Sequence, residues 1–109
     1  MTIPKVDRAG LSAALGEGPV VALLTSPTCG HCKSAKTALD TLAQEYAGRA
    51  ACVQIDIHEQ PDVVKILAPG IQSVPRHVFL DDRRVVGALD GARPLPDVRQ
   101  WIDRCLAGG

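Results

Sequence analysis

An α/β sandwich is the fold class this sequence of 109 residues predicts, and three observations carry it. Two short runs, residues 20–25 and 51–57, read as strands with apolar residues on both faces, as buried parallel strands have. Helical patterns lie before, between and after these runs. Two further short strands surround Asp81-Asp82-Arg83, a hairpin turn that adds an antiparallel portion. Strands interleaved with helices need a sheet covered on both faces, so the architecture is three layers around a mixed sheet.

Each element has its own justification. Asp7 suits the N-cap of a first helix over 8–15, closed by Gly16. Gly-Glu-Gly-Pro at 16–19 connects it to the first strand, 20–25, which Ser26-Pro27-Thr28 breaks. The strongest helical pattern runs from 29 to 47. Ala35, Ala38, Leu39, Leu42, Ala43 and Tyr46 recur on its apolar face, and Lys36, Asp40, Gln44 and Glu45 fall on wetter ones. Gly48 ends it. After the strand at 51–57, Pro61 suits the start of a short helix, 62–67, which Pro69-Gly70 terminates. The hairpin strands are 76–80 and 84–89. Pro94 and Pro96 then precede a last helix with Val98, Ile102, Cys105 and Leu106 on one face. No repeat or linker divides the chain, so residues 1–109 read as one domain.

Composition excludes several function classes. Hydrophobic residues make up 46%, enough for a core without disulfide staples. Twelve Lys and Arg balance twelve Asp and Glu, the wrong balance for a nucleic-acid surface. The longest apolar run, Val20 to Leu24, is too short to cross a bilayer. Asp7 and Arg8 lead into a short amphipathic stretch, which is not a secretory pattern. The expectation is a cytoplasmic monomer with neither a membrane nor a nucleic-acid partner.

Cys29-Gly30-His31-Cys32 is the one constellation that carries chemistry. The spacing alone is weak evidence; its place between a buried strand and the first turn of a long helix is strong. A helix N-terminus offers unpaired N–H groups and the positive end of the macrodipole, and both favour a thiolate. Cys29 feels this most and is expected to be the more exposed, so it is the attacking nucleophile. Cys32, about one turn on, lies on the same face within disulfide reach and is the resolving thiol. Gly30 keeps the turn slim, and His31 can carry positive charge beside the thiolate. Structural zinc wants four ligands, and the other histidines and cysteines lack paired spacing, so no metal is expected. Cys52 and Cys105 read as small hydrophobes of the core, and Trp101 as packed on the fold.

With these residues in view, the chain resembles the thioredoxin family over nearly its whole length. Cys29–Lys33 matches the start of the family's long helix, Ile55-Asp56 the end of a buried strand, and Pro61 follows as expected. Ser73-Val74-Pro75 looks like the loop that carries a cis-proline facing the cysteines, and Gly87-Ala88-Leu89 like the glycine turn completing the substrate groove. The resemblance implies a thioredoxin-like sandwich and a thiol–disulfide oxidoreductase that reduces protein disulfides through a Cys29–Cys32 disulfide. It implies no bound cofactor, and electrons from an NADPH-dependent reductase of the thioredoxin-reductase kind. Val74, Pro75, Arg76 and Gly87 would form the substrate site, with the Val74 backbone bonding an extended segment. The chain departs from the family at Thr28, where a Trp is usual, and at Leu23, where a buried acid is usual. Gly-His between the cysteines is the protein disulfide isomerase dipeptide, and Ser-Val-Pro-Arg has a glutaredoxin flavour. The alternatives are therefore a glutaredoxin-like or isomerase-like enzyme, or a non-catalytic adaptor with a redox switch.

Leu23 cannot take the proton that Cys32 must lose. Alternation along 76–80 puts His77 and Phe79 on one face and Arg76, Val78 and Leu80 on the other. A desolvated, neutral His77 could accept that proton. Its bland reading is a core histidine satisfied by a backbone carbonyl.

Overall fold

The structure is a computed structural model that describes residues 2–108. The elements follow in the expected order: α1 (Arg8–Leu15), β1 (Val20–Thr25), α2 (Gly30–Glu45), β2 (Ala51–Asp56), α3 (Pro61–Leu67), β3 (Arg76–Asp81), β4 (Arg84–Asp90) and α4 (Leu95–Leu106). The sheet order is β2-β1-β3-β4, with β1 parallel to β2 and the other pairings antiparallel.

Every residue of β1 is buried, and alternation sorts them into two cores. Val21 and Leu23, with Cys52 and Phe79, pack against Leu39, Leu42 and Ile102 of α2 and α4. Val20, Ala22 and Leu24, with Ile55 and Val78, pack against Leu11, Val63 and Leu67 of α1 and α3. A strand apolar on both faces thus forces helices above and below, which is the three-layer arrangement. Among the described residues no helix is long and apolar enough to cross a membrane.

Local chemistry sets the ends of the elements. The Asp7 carboxylate accepts the Gly10 N–H at 2.8 Å and caps α1. Asp82 and Arg83 form a two-residue hairpin turn with φ of 53° and 63°. Left-handed backbone at both positions matches strand twist. Arg83 is held there by its guanidinium, which donates to Ser12 Oγ at 3.0 Å and Ser12 O at 3.3 Å.

The boundaries that differ from expectation have physical reasons. Helix α2 stops at Glu45 because Tyr46 is its C-cap; the buried ring brings its hydroxyl to the Asp103 carboxylate and the Arg99 carbonyl on α4. Strand β2 stops at Asp56 because Asp56 Oδ1 accepts the His58 and Glu59 N–H groups at 2.8 and 3.1 Å and turns the chain. Pro96 sits inside the first turn of α4, where a missing N–H leaves no bond broken.

One feature has little signal in the sequence. Residues 4–6 run alongside β2: the Gln54 N–H donates to Pro4 O at 2.8 Å, and the Val6 N–H to Gln54 O at 2.9 Å. Asp40, expected on a wet helix face, instead accepts the Ile3 N–H at 2.6 Å and pins this run. The outer edge of β2 is thereby covered, and Lys5 is carried to the neighbourhood of Gln54.

Candidate active site

The cysteines sit where the backbone changes from strand to helix. Beyond β1 the Cys29 N–H donates to Ser26 O at 3.1 Å, and the Ser26 and Thr28 hydroxyls pair at 3.0 Å. Cys29 itself is extended, with φ −89° and ψ 115°, and serves as the N-cap of α2, so the helix begins one residue later than expected. Its Sγ accepts the Cys32 N–H at 3.1 Å. The two cysteines are paired as a disulfide with Cα atoms 5.4 Å apart. Cys29 is half-buried, whereas Cys32 is 5% exposed. Cys29 is thus the more accessible of the two and Cys32 the more sheltered, which is the order that attack followed by resolution requires. Gly30 and His31 are both exposed in the first turn. A Cβ on Gly30 would meet nothing within 4 Å, so the packing of the chain does not require a glycine there.

The loop before β3 faces this turn. The Val74–Pro75 peptide is cis, as the resemblance implies. Val74 O lies 3.5 Å from Cys29 Sγ, and Pro75 O accepts the Gly91 N–H at 2.9 Å. Arg76 follows, its Nε 3.6 Å from Asp90 across the hairpin. Val74 and Pro75 are therefore brought to the cysteines, and Arg76 is tied to the neighbouring strand.

Gly87 is not. It lies within β4 opposite Phe79. A Cβ there would stand 2.9 Å from Cys105 Sγ and 3.6 Å from Trp101 Nε1, so Gly87 is a packing glycine beneath α4. The glycine beside Pro75 is Gly91, with φ 85°. Gly-Ala-Leu matched the expected motif in letters, but β4 continues through Asp90 because Asp90 pairs with Arg76. Gly91, between that strand and the prolines that open the last helix, was the available signal.

His77 is 1% exposed on the α2 and α4 side, with Leu23 as its β1 partner. Its Nδ1 lies 3.0 Å from Leu89 O. A carbonyl only accepts, so Nδ1 carries the proton. The ring also meets Trp101 edge-on, with centroids 5.9 Å apart. Burial holds its pKa below the ordinary 6.5; Arg93 adds to this, while the Leu89 carbonyl and Asp90 oppose it. The bland reading of this residue is thus the one its geometry matches. A lowered folded-state pKa means the unfolded chain binds the proton more readily. His77 therefore contributes stability that is full above pH 6.5 and lost as pH falls below it. Urea unfolding at pH 7.5 and 5.0 is expected to show a smaller loss of stability in His77→Leu than in the wild type; equal losses would contradict this.

Cys52 and Cys105 stay apart from the site. Burial first, and Asp40 second, push the Cys52 thiol up to about 12, and burial raises Cys105. Both are poor nucleophiles. Among the described residues no group of three or more His, Cys, Asp or Glu gathers to hold a metal. A polar cavity of about 400 Å³ does open beside the disulfide, with Thr25, Cys29, Cys32, Gln54 and Asp56 in its wall.

Comparison with known proteins places these residues in a wider context. A family model described as Thioredoxin matches residues 7–104. Thioredoxin of Bacillus subtilis is 30% identical over 106 residues, which is 97% of this chain and 100% of the relative. Thioredoxin 1 of Synechococcus elongatus is 28% identical over 88 residues, covering 81% of this chain and 80% of the relative. NADPH-dependent thioredoxin reductase 3 of Arabidopsis thaliana is 30% identical over 84 residues, 77% of this chain, but the chain spans only 16% of that protein.

Proposed function

The chain belongs to the thioredoxin family and is a thiol–disulfide oxidoreductase, and from that premise we propose that it works as a reductase of protein disulfides. The unequal exposure of the two sulfurs at the mouth of α2 is the observation that carries this reading. In the reduced protein, Cys29 thiolate attacks one sulfur of a substrate disulfide. That bond breaks, one substrate sulfur joins Cys29, and the other leaves as a thiolate. Cys32 then attacks Cys29 Sγ, closing the internal disulfide and expelling the second substrate thiolate. Two electrons pass to the substrate, and an external reductant must return them.

Val74, whose carbonyl already faces Cys29 Sγ at 3.5 Å, would pair with an extended substrate backbone as an added strand. Among the relatives, one is named an NADPH-dependent thioredoxin reductase, which supports a donor of that kind. The absence of net charge fits a protein without a nucleic-acid partner. Insulin reduction driven by NADPH and a thioredoxin reductase, compared with glutathione and its reductase, tests the donor. Turnover only with glutathione would favour the glutaredoxin-like alternative. Turnover with neither, together with partner binding that survives Cys29→Ser, would favour the adaptor.

A further inference from the structure

Resolution needs a base for the Cys32 proton, and Leu23 supplies none. Strand register separates the groups on either side of it: His77 is the β3 partner of Leu23, and Gln54 is its β2 partner. The cavity beside the disulfide lies on the β2 side, and both Cys32 and Asp56 line it. Asp56 is only 7% exposed. Its Oδ1 is fixed by the His58 and Glu59 N–H groups, which sets the orientation of the carboxylate. Among the described residues Arg76 Nε is the one buried side-chain nitrogen or oxygen without a hydrogen-bond partner, and no hydrogen bond engages Asp56 Oδ2. The second Asp56 oxygen is therefore open to solvent. A volume of about 400 Å³ holds several waters.

We propose that Asp56 accepts the Cys32 proton through the water of this cavity, the part that the sequence suggested for His77. The inference rests on the reductase reading and adds a positioning residue to it. The charged groups around the carboxylate come from every neighbouring element. Lys33 and Lys36 of α2 and Lys5 of the N-terminal run line the same cavity. Lys5 pairs with Glu59 at 3.1 Å, and His58 is exposed on the turn. The lysines give the cavity a positive rim that favours the Cys32 thiolate once it forms. The step balances. Cys32 S–H gives its proton to Asp56, the thiolate attacks Cys29 Sγ, and the expelled substrate thiolate is reprotonated by that proton. The first substrate thiolate takes from solvent the proton that Cys29 had shed.

Stopped-flow measurement of the resolving step in Asp56→Asn, from pH 6 to 10, tests the proposal. Asparagine keeps the oxygen that accepts the two N–H groups, so the turn after β2 is retained. The expected result is a resolving rate lower by roughly tenfold or more at pH 7. The two rates should converge above the range in which a free thiol ionises unaided, about 8.5. First attack, measured in a Cys32→Ser background, should be unchanged by Asp56→Asn. Should Asp56→Asn not fold, Asp56→Glu serves: it retains a carboxylate and is expected to keep the wild-type pH profile, whereas a thiol-limited profile would overturn the proposal. An unaltered profile in Asp56→Asn, or slowing confined to His77→Leu, would also overturn it. Neither of those results touches the reductase reading, which fails only if the wild type reduces no disulfide.

Discussion

Cys29→Ser is expected to reduce insulin no faster than the uncatalysed background. The hydroxyl is not ionised near neutral pH and cannot open a disulfide. The other thiols are poor substitutes for it, and burial raises the pKa even of the partly exposed Cys105. Cys32 is 5% exposed behind Cys29, and burial pushes the Cys52 thiol up to about 12. Serine is also a good N-cap, able to accept the Cys32 N–H as Cys29 Sγ now does at 3.1 Å. The variant should therefore unfold near the midpoint of the reduced wild type, which assigns its defect to chemistry. Turnover in the coupled insulin assay above background would contradict the assignment of Cys29.

His31→Pro is expected to make the disulfide less oxidising, by roughly 30 mV or a tenfold change in equilibrium constant. His31 is exposed in the first turn of α2, immediately between Gly30 and the buried Cys32. A positively charged imidazole there would stabilise the Cys29 thiolate, and so does the free His31 amide at the helix N-terminus. Proline removes both while fitting the first turn of a helix without strain. Equilibration of each protein against a glutathione buffer reads the potential directly. An unchanged or higher potential in His31→Pro would mean that the dipeptide does not tune this centre through charge.

The parts of the fold readable from sequence are those governed by local rules. Strand β1 announced itself because both of its faces are apolar, and α2 because Ala35, Leu39, Leu42 and Tyr46 repeat at helical spacing. The Cys29–Cys32 pair was legible because it opens that helix. Residues whose role depends on distant partners were not. Residues 4–6 become strand-like only because β2 leaves an edge and Asp40 holds Ile3. Gly91 rather than Gly87 reaches Pro75 because the Arg76–Asp90 pairing extends β4 by one residue past Leu89. Asp56 looked like the end of a strand motif. Its place beside Cys32 depends on the parallel register that sets Thr25 against it.

The dithiol cycle is tested most directly by a covalent intermediate. Reduced Cys32→Ser, mixed with insulin and quenched in acid, should accumulate a mixed disulfide whose mass is this chain plus insulin. Peptide mapping should place the link on Cys29, the half-buried sulfur that faces Val74 O at 3.5 Å. The wild type under the same conditions should show the closed Cys29–Cys32 disulfide and free insulin chains. A link found on Cys52 or Cys105, or no adduct while insulin is still reduced, would contradict attack by Cys29 and resolution by Cys32.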